Sequence, residues 1–252
     1  MAAPRPADPY FDGSAKVLAK MEQQMDEHGL RAEQRVTGDK NLYERFKVKK
    51  ALFPAQQQAA RDALYAADEV HSLPPLETDR YRKVELSFKK QDALGFTDAY
   101  SQRETGKVLM TIDRELAPAQ VGLTMLHETG HLIDLMYFKP VNVLAESGIV
   151  KPEIEAILSA ARETRAWQQY EGRLRLDPHD DDALYLTNPK ELWARAYAQY
   201  IAEKSGNETL LAAVKEQAAT GYNQLPEHWS SADFTPVRQA IDHLFYAKGW
   251  LR

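Results

Sequence analysis

The segment PAQVGLTMLHETGHLIDLMYF, residues 118–138, constrains the fold of this chain more than any other stretch. Val121, Leu123, Met125, Leu126, Leu132, Leu135 and Met136 cover much of a helical circumference, which predicts a helix buried on most sides and stopped by Pro140. Into its middle the sequence sets His127, Glu128 and His131, groups that carry a desolvation penalty in an apolar setting unless something compensates them. Each residue of a helix turns about 100°, so the two histidines lie roughly 40° apart on one face and about one turn apart along the axis. Both imidazoles then reach one ion. Two such nitrogens, a third protein ligand and an open position for water make a catalytic Zn²⁺ site. Glu128, beside that open position, is suited to take a proton from the water as it attacks a carbonyl.

Composition narrows the ligand choice. The 252 residues include no cysteine, which removes disulfides, thiolate catalysis and Cys-bound zinc and leaves His, Asp and Glu as the strong metal ligands. The formal charge of -5 is mild, and Lys and Arg are scattered rather than gathered into a stripe, so nucleic acid is not an expected partner. No stretch approaches the ~20 apolar residues of a membrane span, and MAAPRPADPYFDGSAK has no apolar signal region. The expectation is a cytoplasmic protein without a membrane partner, with export that needs no Sec-type signal left open; no feature sets an oligomeric state.

Around the central helix the pattern predicts helices, a small sheet, then more helices. Val17, Leu18, Met21 and Met25 follow helical spacing behind Ser14, and Pro54 opens a second helix at FPAQQQAARDALYAADEV. Residues 1–79 therefore read as a helical N-terminal region, and 80–252 as the domain that carries the motif, the two being compatible with one continuous domain. YRKVELSFKK alternates at a period of two, and GFTDAYSQ and KVLMTID flank RETG as a hairpin. The expected class is α+β, mostly helical, with a small, mainly antiparallel sheet ahead of the motif helix.

The third ligand is less sharply marked. Asp134, Glu146, Glu153, Glu155, Glu163, Glu171, His179 and Glu191 all follow His131. Asp134, three residues on, is placed to support a histidine from behind rather than to ligate the same ion. Glu191 is the best candidate. It opens ELWARAYAQYI, where Ala194 and Ala198 leave a small-residue face for close packing on the motif helix near Gly130.

HETGHLID followed by YLTNPKELWARAYAQY resembles the gluzincin class of zinc metallopeptidases, and is similar to the catalytic domain of anthrax lethal factor and to metallopeptidase-like domains of phage and mobile elements. The resemblance spans about residues 95–204. It implies a zincin-like fold for 80–252, one Zn²⁺ held by His127, His131 and Glu191, Glu128 as general base, Asp134 behind the ligands, and Tyr185 as an oxyanion donor. It also implies a protein or peptide substrate, laid along a rim strand at 107–113 or 95–101. Leu192 replaces the first aromatic after the ligand, Arg195 replaces an acid, and Tyr185 lies six residues before Glu191 rather than seven. An aromatic packed on the NPKELW turn is the alternative role for Tyr185.

Two rival functions stay open: a zinc-stabilised interaction module that cuts nothing, and a zinc hydrolase of a non-peptide amide. DPHDDD lacks the order of a calcium loop and reads as a solvated acidic turn. His228 and His243 read as structural or surface residues, and Trp167, Trp193, Phe245, Tyr246 and Trp250 as core.

Overall fold

The computed structural model describes residues 42, 46–48, 54–72, 83–91, 93–98, 107–138, 152–219 and 224–252. The helix expected over 14–29, the RETG turn, Pro140 and Glu146 lie outside them. The described residues form four strands and eight helices: β1 (Phe46–Val48), α1 (Pro54–Val70), β2 (Lys83–Lys89), β3 (Gly95–Asp98), β4 (Lys107–Asp113), α2 (Pro118–Tyr137), α3 (Pro152–Arg162), α4 (Arg165–Leu176), α5 (Asp181–Thr187), α6 (Pro189–Ser205), α7 (Glu208–Ala218) and α8 (Ser231–Ala247). The mostly helical α+β class is what the sequence pattern leads to.

The sheet differs from the mainly antiparallel one expected. Its order is β1-β2-β4-β3, with β1 parallel to β2, β2 parallel to β4, and only β3 antiparallel to β4. The expected hairpin is present, but the chain passes from β2 to the far edge, forms β3, and returns to lay β4 in the gap. β2 and β3, consecutive in sequence, are thus separated in space by β4. The arrangement leaves β3 at the edge, while β4 is paired on both sides and so cannot serve as the rim strand expected over 107–113.

The strand faces follow the period of two. Val84 and Leu86 of β2 join Val108, Met110 and Ile112 of β4 in the apolar core that also takes in α2. The core crosses residue 79: Phe46 of β1 and Ala60, Ala63, Leu64 and Ala67 of α1 belong to the same cluster. The α1 residues fall at the spacing of one helical face, which meets α2. β1, three residues long, falls within the span read as helical.

Two helices are buried nearly all round. In α2 the run from Val121 to Ile133 is buried apart from His127 and His131, and in α6 every residue from Leu192 to Ala202 is buried. α6 starts where Asn188 accepts the Lys190 N–H at 3.0 Å, Pro189 fills the first helical position, and Gly206, at φ 66°, ends the helix. Trp193, Phe245 and Trp250 lie in the core, whereas Tyr246 is 60% exposed. Its place on the outer side of the last turn of α8 corrects the expectation that it is a core residue.

His71, just past α1, is buried against α6 and α8: its Nε2 lies 2.8 Å from the Tyr197 hydroxyl and its ring meets Phe245 edge-on. Burial, helped by the Arg252 charge, lowers its pKa to about 3. An unfolded chain protonates this imidazole near pH 6.5, so between about 6.5 and 3 the unfolded state binds more protons, and stability rises with pH across that window. Acidification is therefore expected to cost up to about 1.4 kcal/mol per pH unit from this group. Urea unfolding at pH 7 and 5 checks this: His71→Phe is expected to be weaker at pH 7, because the Tyr197 hydroxyl loses its partner, but to lose roughly one proton's worth of the pH dependence. An equal pH slope in both proteins contradicts the assignment.

Candidate metal centre

α2 and α6 cross where neither helix carries bulk. A Cβ built on Gly130 would stand 2.9 Å from the Ala194 Cα, so glycine is what allows the two backbones to come this close. The Trp193 indole N–H donates to the Gly130 carbonyl at 2.8 Å and fixes the rotation of one helix on the other. The close packing at Gly130 expected from Ala194 is thus present. Its consequence is that Glu191, one turn before Ala194, hangs over the histidines.

Nε2 of His127 lies 3.1 Å from Nε2 of His131 and 3.1 Å from Oε2 of Glu191, and the third side of the triangle, His131 Nε2 to Glu191 Oε2, is 3.4 Å. The rings stand nearly perpendicular, at 82°. A tetrahedral ion with arms of about 2.0–2.1 Å has ligand corners about 3.3–3.4 Å apart, so the donors form one face of such a tetrahedron. Among the described residues this is the one His/Asp/Glu group close enough to hold an ion. The residues fit the group.

The electrostatics agree. Burial opposes charge on His131, yet the hydrogen bond and charge of Glu191, with Glu128 and Asp134 behind, leave its pKa raised. Burial also opposes charge on Glu191, but hydrogen bonds and charge from His127 and His131 hold it far below the ordinary carboxylate range. The pocket is built to surround positive charge.

Glu128 stays outside the triangle. The residue is 4% exposed and lines the cavity that also holds the donors, and its carboxylate accepts from Thr97 Oγ1 of β3 at 2.6 Å. Asp134 also lines the cavity, outside the donor cluster, and acts on His131 through its charge. Tyr185, at the end of α5, is half exposed on the rim; burial of its hydroxyl raises its pKa, as do the charge of Glu191 and a hydrogen bond to it. All six residues singled out in the sequence thus line one cavity of about 790 Å³. The expected rim at 95–101 is represented by β3, with 99–101 outside the described residues.

Four further residues shape the site. Gly95 and Thr97 press β3 against Glu128. Arg195 is buried and donates to the Leu186 carbonyl, to the Glu227 carbonyl at 2.6 Å and to the Tyr170 hydroxyl at 3.2 Å, clamping α4, α5 and the segment before α8 into one wall. His228, set aside in the sequence as structural or surface, is buried in that wall, with Nδ1 unpartnered among the described residues; burial, the Arg195 charge and then His127 push its pKa well below the ordinary value, which favours the neutral imidazole. His243 is exposed on α8. In DPHDDD, Asp180 caps α5 through the Ala183 N–H and pairs with Arg173 at 2.7 Å, which makes the turn a capping element.

Scans against protein-family models, curated proteins and solved structures each return no match, so the centre stands on its own geometry. No helix of the described residues is long and apolar enough to cross a membrane.

If the Gly130 contact sets the donor triangle, widening it loosens the ion. Gly130→Val is expected to destabilise the fold by about 1–3 kcal/mol and to weaken Zn²⁺ binding about 10–100-fold, measured against a chromogenic chelator. Wild-type affinity in the destabilised variant contradicts this.

Proposed function

We propose that this chain is a zinc-dependent metallopeptidase of the HExxH…E kind. One observation carries the reading: two imidazole nitrogens and a carboxylate oxygen converge as one face of a tetrahedron, while Glu128, which joins no ligand set, stands beside them in the same cavity. Two nitrogens and one oxygen without sulfur suit zinc, and three protein ligands leave a place for water. Zn²⁺ bound there acts as a Lewis acid and eases deprotonation of that water.

The protein's own groups do the rest. Glu128 takes the proton of the attacking water and delivers it to the departing amine, so that water's O–H bond and the peptide C–N bond break as the new C–O bond forms. Tyr185, whose hydroxyl reaches Glu191 at the cavity rim, is the donor suited to the developing oxyanion. Among the described residues one edge of β3 is unpaired, and it is offered to an extended backbone, with Leu94 and Phe96 exposed beside it for apolar side chains. The substrate class is accordingly a protein or peptide in extended form.

The rival of a purely structural zinc module accounts less well for Glu128, because a buried carboxylate that ligates nothing carries a desolvation cost that a structural site has no need of. A non-peptide amide substrate accounts less well for a sheet edge that is open, among the described residues, along the cavity wall.

Hydrolysis of a fluorogenic peptide pool by zinc-loaded protein tests the reading. Glu128→Gln is expected to lower kcat by about 10²–10⁴-fold while binding the same amount of zinc, and a chelator to abolish turnover in the wild type. Turnover unchanged in Glu128→Gln refutes the mechanism.

A further inference from the structure

Glu128 is carried by a helix but held by the sheet. Gly95 and Thr97, two residues apart, lie on the same face of β3, and both meet the Glu128 side chain. The Thr97 hydroxyl is 2.6 Å from Oε2 and 3.4 Å from the Glu128 carbonyl, so its single proton goes to the closer carboxylate oxygen. A Cβ on Gly95 would lie 2.4 Å from Oε1, 2.8 Å from Cγ and 2.7 Å from Thr124 Cγ2. Any larger residue would move the carboxylate, the strand or both. Glycine is required here for space.

We propose that Thr97 and Gly95 are positioning residues that decide which oxygen of Glu128 carries the proton. This rests on the peptidase reading above. Oε2 is committed to the Thr97 hydroxyl, and a carboxylate oxygen that accepts such a bond is the poorer seat for a second proton. Oε1 is therefore the oxygen that accepts the proton of the attacking water and later releases it to the leaving nitrogen. The hydroxyl also stops the carboxylate from rotating away, and Gly95 leaves room for Oε1 in the orientation that this bond sets. Thr97 touches no reacting atom; it acts through Glu128.

The inference is tested on the full zinc-loaded chain as wild type, Thr97→Val, Thr97→Ser, Gly95→Ala, Glu128→Gln and the double variant Thr97→Val/Glu128→Gln. Two readouts are taken: kcat and KM on a fluorogenic peptide, and the Glu128 conformation in crystals of each variant. Thr97→Val, nearly isosteric, is expected to lower kcat about 10²-fold with KM and zinc content unchanged, Thr97→Ser to restore it, and Gly95→Ala to lower kcat similarly. In the Glu128→Gln background, Thr97→Val is expected to cause no further loss. Crystals of Thr97→Val are expected to show the carboxylate displaced or in two conformers, and those of Thr97→Ser to show it restored. A single, wild-type Glu128 conformer in Thr97→Val overturns the proposal, as does wild-type kcat or an undiminished loss in the double variant. If the wild type cleaves no peptide, the peptidase reading fails by itself, and the crystals still decide whether Thr97 holds Glu128.

Discussion

The contact between Gly130 and Ala194 is the constraint on which the rest of the structure depends. Helix axes usually lie 8–10 Å apart, set by the side chains between them. Here one helix contributes no side chain and the other a methyl, with the Trp193 indole bonded to the Gly130 carbonyl as a lock. That approach brings a carboxylate from the first turn of α6 to within 3.4 Å of two imidazoles in the middle of α2. A bulkier pair of residues would separate the donors and leave three polar groups buried without a common partner. The polar chemistry of the site is therefore set by apolar packing one turn away.

The cavity around those donors is assembled from unrelated parts of the chain, each held by an identifiable bond. β3 lies against Glu128 through Gly95 and Thr97, α5 is capped by Asp180 and brings Tyr185 to Glu191, and Arg195 clamps the opposite wall through carbonyl oxygens. Arg195 stands where the gluzincin resemblance leads one to expect an acid. Its guanidinium bonds to the Tyr170 hydroxyl and to the Glu227 and Leu186 carbonyls and so organises the wall, where burial, with the Arg195 charge second, lowers the pKa of His228.

Much of the site was legible because its signals are local. The i,i+4 histidines and the apolar periodicity of residues 118–138 depend on the helical repeat alone and led to α2 and to the donor pair, while the small-residue face of ELWARAYAQYI and the gluzincin resemblance led to Glu191. The Gly130 contact was legible because small residues three and four apart on a helix face mark a close approach. The sheet was less so: strand periodicity says which residues face the core but not which strand lies beside which, so β4's position between β2 and β3 was hidden. Nor does anything near Thr97 announce a partner 31 residues away, although a glycine inside a strand, as at Gly95, is a general sign that another group comes close. β1 is too short to display a period, and the roles of Arg195 and His228 come from tertiary contacts alone.

The central claim is that one ion sits between α2 and α6 with a coordination place left to solvent. Anomalous diffraction above and below the zinc edge, on crystals of the zinc-loaded full chain, tests it most directly. The account requires a single strong anomalous peak about 2.0–2.1 Å from Nε2 of His127, Nε2 of His131 and a carboxylate oxygen of Glu191, with Glu128 unbonded to it. A peak elsewhere, a fourth protein ligand closing the site, or imidazoles turned away from an empty triangle would contradict it.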